Sequence, residues 1–539
     1  MSCGWAFQPN ILFIVIDDLR TSLNCYDDPD VLSPNIDQLA SKSIKFNHAY
    51  VQQAICGPSR TSFLTSRRPD TTHLYDFQSY WRVAAGNFTT LPQYFKQNGY
   101  HTASVGKVFH PGKASGGNDD FPYSWSQPPY HPPTEVYRNY KVCRGGWDDK
   151  LHRNIICPID VNEQPGGSLP DIQSAQYAVK FLKNVSHGHI QRPFFLAVGF
   201  HKPHIPLKYP QQYLRFYPLS RIKLATDPDL PPGMPKVAWN VWSDVTSRED
   251  IKRLNVSFPY GPMPDEYQYL IRQSYFAATT YMDSLVGKVL SALDTEGLAN
   301  DTIVIFLSDH GWSLGEHQEW AKYSNFEVVT RVPLILYVPK VTHFPDSISP
   351  TFPYVDVLDS IKTMPNFTNR NTAGSTSDAL VELVDLFPTL VDLAGLTAIP
   401  TCPLHSNKVD LCTEGHSFAA LLTELRQSNQ RVRNWHKKAA FSQYPRPAFY
   451  PQADSYYTRL RDIKIMGYSM RTENYRYTEW VSFNRTSFSG DWNHIYAREL
   501  YLSDTDPNED INRAYEHGYQ ELVQNASHLL HLGWSSSLL

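Results

Sequence analysis

Three uninterrupted apolar runs, each ending abruptly in a polar cluster, constrain this chain more than any other feature. Ile11 to Ile16 leads into Asp17-Asp18, Pro193 to Val198 into His201-Lys202-Pro203-His204, and Thr302 to Leu307 into Ser308-Asp309-His310-Gly311. Apolar runs of this length, without alternation, read as strands buried on both faces. They predict an α/β fold with a parallel or mixed sheet covered by helices. In open α/β sheets function gathers beyond the carboxyl ends of the strands, so the polar clusters are expected to share one rim.

Helices are readable between the runs. Ser33 caps and Pro34 opens a helix through Ala40, since proline costs nothing in a first turn. Tyr281, Leu285 and Val289 mark an amphipathic helix within Gln273 to Leu293. Val381 to Leu396 reads as another, kinked near Pro388. Near Glu424 to Lys438 polar residues displace apolar ones. Beyond that stretch Ile463 to Met470 and Tyr475 to Val481 alternate like half-exposed antiparallel strands, followed by a last helix. The organisation expected is a large domain over 1–430 and a smaller α+β domain with an antiparallel sheet over 431–539.

At 539 residues the chain can bury a large core, and a net charge of −4 without basic runs excludes nonspecific nucleic-acid binding. No apolar stretch approaches the ~20 residues of a membrane helix, so no membrane insertion is expected. Cys143/Cys157 and Cys402/Cys412 are close pairs in Pro- and Gly-rich loops, the pattern of local disulfides, leaving Cys3, Cys25 and Cys56 unpaired. Asn-x-Ser/Thr acceptors recur at Asn87, Asn184, Asn255, Asn300, Asn366, Asn484 and Asn525, as on a glycosylated surface. The first residues show no basic or apolar leader pattern. The expectation is a secretory-pathway protein whose leader is not part of this sequence.

The chemistry concentrates in Cys56-Gly57-Pro58-Ser59-Arg60. Pro58 suits a first helical turn, Ser59 and Thr61 can bind free amides there, and Arg60 adds a cation, so the site favours an anion. The pentapeptide alone fits a small buried cysteine before an ordinary helix equally well. Asp17-Asp18 are ordinary solvated acids in one reading. Directly after six apolar residues, however, their burial is costly without a cation. With Asp309-His310 they form an oxygen-rich set suited to Ca²⁺ or Mg²⁺, flexible coordination favouring Ca²⁺. Trp320-Ala321-Lys322 and Gly106 to His110 are unremarkable alone.

Cys56 to Arg60, followed by Leu64-Thr65-Ser66-Arg67, resembles the signature of the sulfatase family, with Ser66 in place of the usual glycine. The resemblance implies an alkaline-phosphatase-like fold and conversion of Cys56 to formylglycine by the formylglycine-generating enzyme. It implies one divalent ion, Ca²⁺, held by Asp17, Asp18, the modified Cys56, Asp309 and His310. His310 stands where many members have asparagine, which makes exclusive calcium use less certain. Lys107 and His110 match a family Gly-Lys-x-x-His element, His204 the sulfate-contacting acid, and Lys322 the last cation. Arg60 is expected to support the hydrated aldehyde and His201 to orient its neighbours.

Further stretches, Arg67 to Thr72, Ser79 to Arg82, Val105 to Pro111, Gly315 to Asn325, Ser442 to Pro447 and Asp462 to Tyr468, resemble lysosomal members acting on 2-sulfated iduronate. They imply hydrolysis of the 2-O-sulfate from non-reducing-end L-iduronate in dermatan and heparan sulfate oligosaccharides. They also imply lysosomal delivery and proteolytic maturation near residue 430. Arg459, Arg461 and Lys464 are candidates to read the uronate carboxylate, and Trp312 to stack on the sugar. The rival readings are a sulfatase of another sugar such as a 6-sulfated hexosamine, a phosphoester hydrolase, and an inactive glycan-binding protein.

Overall fold

The computed structural model describes residues 8–190, 193–344, 349–359, 374–422, 435 and 437–536. Seven strands, β1 (Asn10–Ile16), β2 (Ile44–Tyr50), β3 (His101–Gly106), β4 (Phe194–Phe200), β5 (Thr302–Ser308), β6 (Arg331–Tyr337) and β7 (Ser375–Glu382), build the main sheet. Their order is β7-β2-β6-β5-β1-β4-β3. Only β6 runs against its neighbours; β3, β4, β1 and β5 are parallel, so their carboxyl ends lie on one edge. The three apolar runs are central strands, and the expected common rim exists.

Alternation explains why those runs are apolar at every position. Leu12, Ile14 and Ile16 enter one core, and Ile11, Phe13 and Val15 the other. The first core is closed by helices α1 (Pro34–Ser41), α3 (Pro170–Ser186) and the 31-residue α4 (Asp265–Thr295). The second is closed by α2 (Cys56–Thr65) and α5 (Leu386–Leu393). Fully burying one such side chain stabilises the fold by roughly 1.5–3 kcal/mol, so both faces of β1 are committed.

The C-terminal sheet runs β8 (Ala440–Arg446), β9 (Ile465–Arg471), β10 (Tyr475–Asn484), β11 (Ser489–Leu502) in that order, all antiparallel. Helix α6 (Gln520–Leu532) packs on it through Ala526 and Leu530. Residues 424–434 and 436 of the polar stretch expected to separate the two domains, and Asn366 and Cys3, lie outside the described residues. Among the described residues no helix is long and apolar enough to cross a membrane. Both disulfides, Cys143–Cys157 and Cys402–Cys412, are formed, while Cys25 and Cys56 are free. Asn87, Asn255, Asn300, Asn484 and Asn525 are exposed and Asn184 is half-buried.

Two local expectations need correction. Val381 and Glu382 finish β7, and the helix begins only at Leu386 after a 3-10 turn over Leu383–Asp385. A reciprocal cap enforces the break: Glu382 N–H donates to Asp385 at 2.7 Å, and the Glu382 carboxylate caps in return. Pro388 therefore falls in a first turn, where it kinks nothing. At α2, the Ser59 hydroxyl does not cap the helix but donates to the Asp309 carbonyl. The family departure at Ser66 also has a structural reason. Ser66 closes α2 at φ 55°, the left-handed conformation that favours glycine. Its hydroxyl bonds Val384 O at 2.5 Å and Thr413 Oγ1 at 2.7 Å, which offsets the strain.

Candidate active site

Main-chain bonds of the sheet edge place the first residues of the site. Asp17 N–H donates to Phe200 O and Asp309 N–H to Ile16 O, each at 3.1 Å, while Lys107 N–H reaches Gly199 O at 3.1 Å. Gly106 has φ 69°, and a Cβ there would stand 2.2 Å from Gly199 O, so only glycine allows Lys107 to turn inward. Asp18 sits at φ 62° with its N–H on Asp309 Oδ1 at 3.1 Å; strain of this kind persists where the surroundings over-determine it.

Around Cys56, at the first turn of α2 and 1% exposed, two ammonium groups close in. Lys322 Nζ is 3.1 Å and Lys107 Nζ 3.5 Å from its Sγ. Lys322 also bonds Asp18 Oδ1, and Lys107 Asp17 Oδ2, each at 2.6 Å. Arg60, fully buried, spans the floor: Nε to Asp309 at 2.8 Å, Nη2 to Asp17 at 3.1 Å, and Nη1 to the carbonyls of Lys107 and Val108. Arg60 thus holds the carboxylates in place, and it acts on Cys56 through its charge.

Ligand atoms of Asp17, Asp18, Cys56 and His310 lie within 4.8 Å of one another. Asp18 Oδ2 is buried without a hydrogen-bond partner, an orphan that a cation would satisfy. Two carboxylates and an imidazole fit a divalent ion. Asp309 stands beside this group: Oδ1 accepts the N–H groups of Asp18 and His310, and Oδ2 lies 3.6 Å from His310 Nε2. Burial would raise the Asp17 pKa, but Lys107, His204, Arg60 and Lys322 hold it well below the usual carboxylate range. Asp18 is pushed up to about 8 by burial, against the pull of Lys322 and with Asp17 and Asp309 adding to the rise. A cation held beside a carboxyl raised by burial favours its charged form.

Burial, with Asp17, pushes the Cys56 thiol up to about 12 despite both lysines. A thiol in that state is no nucleophile at neutral pH, since the thiolate is the reactive form. His310 and His204 are held well below the ordinary histidine value, chiefly by burial, as is His110. His204 Nε2 points at Asp18 Oδ2 from 3.7 Å, and its side chain is 20% exposed, on the solvent side of the pocket. His110 stacks on Phe77 with centroids 4.0 Å apart.

His201 is fixed by Asp171 at 3.1 Å and Glu135 at 3.4 Å, away from the cysteine. Trp312 is buried, its ring beneath Lys322 Nζ at 5.6 Å, and presents no open face for a sugar. Arg459 and Arg461 line a ≈ 640 Å³ cleft with Lys113, Arg485, Asp76 and Gln78. Phe77, next in chain to Asp76, stacks on both His110 and Tyr457, so this cleft adjoins the pocket. Lys464 is exposed outside it. Sequence reading missed Tyr275, whose hydroxyl donates to Asp18 O at 2.7 Å, and Asp171 and Phe77; ordinary helix and loop residues carry no signal of such contacts.

A family model described as Sulfatase matches residues 9–396. The chain belongs to the sulfatase family. The iduronate 2-sulfatases of Mus musculus and Homo sapiens are each 54% identical to it over 506 residues, covering 93% of this chain and 90% of theirs. A solved structure of a protein with its substrate D-glucosamine-2-N,6-O-disulfate shares the fold, with TM-score 0.66, 21% identity and 98% of each chain covered. The sulfatase family uses formylglycine and a divalent cation, and Asp17, Asp18, Cys56 and His310 form a candidate metal site in this chain.

Proposed function

We propose that this sulfatase hydrolyses the 2-O-sulfate of non-reducing-end L-iduronate 2-sulfate units in dermatan and heparan sulfate. The 54% identity over almost the whole chain supports that substrate class. The observation that carries the chemistry is the pair of ammonium groups on Cys56 Sγ, 3.1 and 3.5 Å away, beside an uncompensated carboxylate oxygen.

Asp17, Asp18, Asp309 and His310 would hold the ion, Ca²⁺ in this reading, together with residue 56. Bound there, it supplies Lewis-acid charge for sulfuryl transfer. Formylglycine at residue 56, made by the formylglycine-generating enzyme, supplies the oxygen nucleophile that the raised Cys56 thiol does not. Lys107 and Lys322 clamp the sulfate oxygens and neutralise charge developing on them. Arg60 fixes Asp17 and Asp309. His204 Nε2 is the proton donor to the departing sugar oxygen, and His110, neutral through burial, accepts a proton when sulfate is released.

A dianionic sulfated uronate needs a further cation for its carboxylate. Arg459 and Arg461, in the cleft that adjoins His110, are placed to supply it from the smaller domain, 431–539, to the catalytic domain, 1–430. Lys464 and Trp312 are less well placed. Exposed acceptor asparagines fit a glycoprotein delivered to the lysosome. The test is sulfate release from disaccharides ending in 2-sulfated iduronate or in 6-sulfated glucosamine. Preference for the iduronate substrate is expected; preference for the hexosamine overturns the assignment.

A further inference from the structure

A second cluster of ligand-type side chains lies away from the catalytic pocket, where three distant segments meet. Asp227 comes from the loop before residue 243, His317 from the segment between β5 and β6, and Asp510 from the chain after β11. Their ligand atoms lie within 4.8 Å of one another. His317 is 2% exposed, and neither ring nitrogen makes a well-formed hydrogen bond, the backbone of Asn508 offering only a weak one. Its Nε2 faces Asp227 Oδ2 at 3.6 Å and Asp510 Oδ1 at 4.0 Å. Those gaps are too long for hydrogen bonds. They sit slightly above the ~3.4 Å between neighbouring ligand atoms around a tetrahedral ion with bonds of about 2.1 Å.

Everything about His317 points to an arranged position. Its backbone is left-handed, φ 53°, a conformation that costs a β-carbon residue free energy. Its N–H donates to Asp227 O at 2.8 Å, its carbonyl accepts from Trp239 Nε1 at 3.2 Å, and its ring lies against Phe326 at 4.3 Å. The ring is therefore locked with Nε2 toward the two carboxylates. The nearest cations are otherwise engaged: Arg20 bonds Glu316 at 2.7 Å and Arg476 bonds Glu509. Asp506, whose oxygens accept the N–H groups of Asp510 and Ile511, is not one of the three residues whose ligand atoms gather here. The Asp510 side chain is 46% exposed, leaving a side open for a water as fourth ligand.

We propose that Asp227, His317 and Asp510 form a second divalent-cation site, a structural centre of the zinc class. One nitrogen and two carboxylate oxygens suit a borderline metal better than calcium. The ion would pin the segment that ends at Lys322 to the C-terminal sheet, and so steady the ammonium that meets Cys56.

Equilibrium dialysis of the full chain against Zn²⁺ tests this, with His317→Gln and Asp510→Asn alongside the unaltered protein. The parent chain is expected to bind one zinc more than either variant. Its melting temperature should rise by about 2 °C at a hundredfold excess of zinc over Kd, a rise absent in both variants. Equal zinc stoichiometry in all three proteins overturns the site. If His317→Gln fails to fold, Asp510→Asn decides alone, because its half-exposed side chain can change without disturbing the core.

Discussion

Replacing Lys322 by methionine separates what the site does for catalysis from what it does for stability. The ammonium lies 2.6 Å from Asp18 Oδ1 and 3.1 Å from Cys56 Sγ and is 2% exposed, so no water can stand in for it. Removing one preorganised charge from a developing oxyanion costs about 2.7–4 kcal/mol, a fall of about 10²- to 10³-fold in kcat. Removing one partner of a buried ion pair usually costs about 3–5 kcal/mol of stability. Here the loss should be smaller, about 1–3 kcal/mol. A divalent ion held by Asp18 would still compensate that carboxylate, so removing the ammonium leaves no unpaired charge. Steady-state kinetics on a sulfated disaccharide, with thermal denaturation of the same preparation, measures both. A folded variant whose kcat stays within about threefold of the parent would refute the sulfate-clamp role.

Arg60→Lys should inactivate the enzyme despite keeping the charge, because a point cation cannot satisfy Asp17, Asp309 and two carbonyls at once; near-parental kcat in the folded variant contradicts this. Ser66→Ala keeps the left-handed strain and loses both hydroxyl bonds, costing about 1–3 kcal/mol. Ser66→Gly relieves strain worth about 1–2 kcal/mol and should be near neutral, so denaturant melts that rank the two variants the other way exclude this account. In pH profiles, His204 must be protonated to donate, and burial holds its pKa well below the ordinary value of 6.5. Its acid form therefore grows as pH falls, so kcat/KM should begin to fall on the acid side of pH 6.5 and keep falling through neutrality, a limb that His204→Gln removes. A rate rising from pH 6 to 8 is inconsistent with that role.

Much of the site was legible before any coordinates. Apolar runs ending in Asp17-Asp18 and Asp309-His310 announce central parallel strands, because burial on both faces leaves no alternation, and parallel strands must end on one rim. The contacts of Cys56 with Lys107 and Lys322 came only through likeness to the family, since a lysine 51 or 266 positions away has no local signature. The end of β7 was misread as helix because Val-Glu-Leu-Val carries apolar residues compatible with either period. The reciprocal Glu382–Asp385 cap decides it. Arg60 was legible as a cation beside the reactive residue, but its bonds to Asp17 and Asp309 were not, since sequence shows a cation and not the acceptors around it. Tyr275 and Phe77 reach the site by packing across the fold, which no single-chain pattern records.

The central claim is that residue 56 acts as an oxygen nucleophile and never as a thiol. Its most direct measurement is peptide mass spectrometry of residue 56 on preparations co-expressed with graded amounts of the formylglycine-generating enzyme, each paired with its turnover rate. Turnover proportional to the aldehyde fraction, extrapolating to zero for pure thiol, is the predicted result. Sulfate release by a preparation carrying only unmodified Cys56 would contradict it.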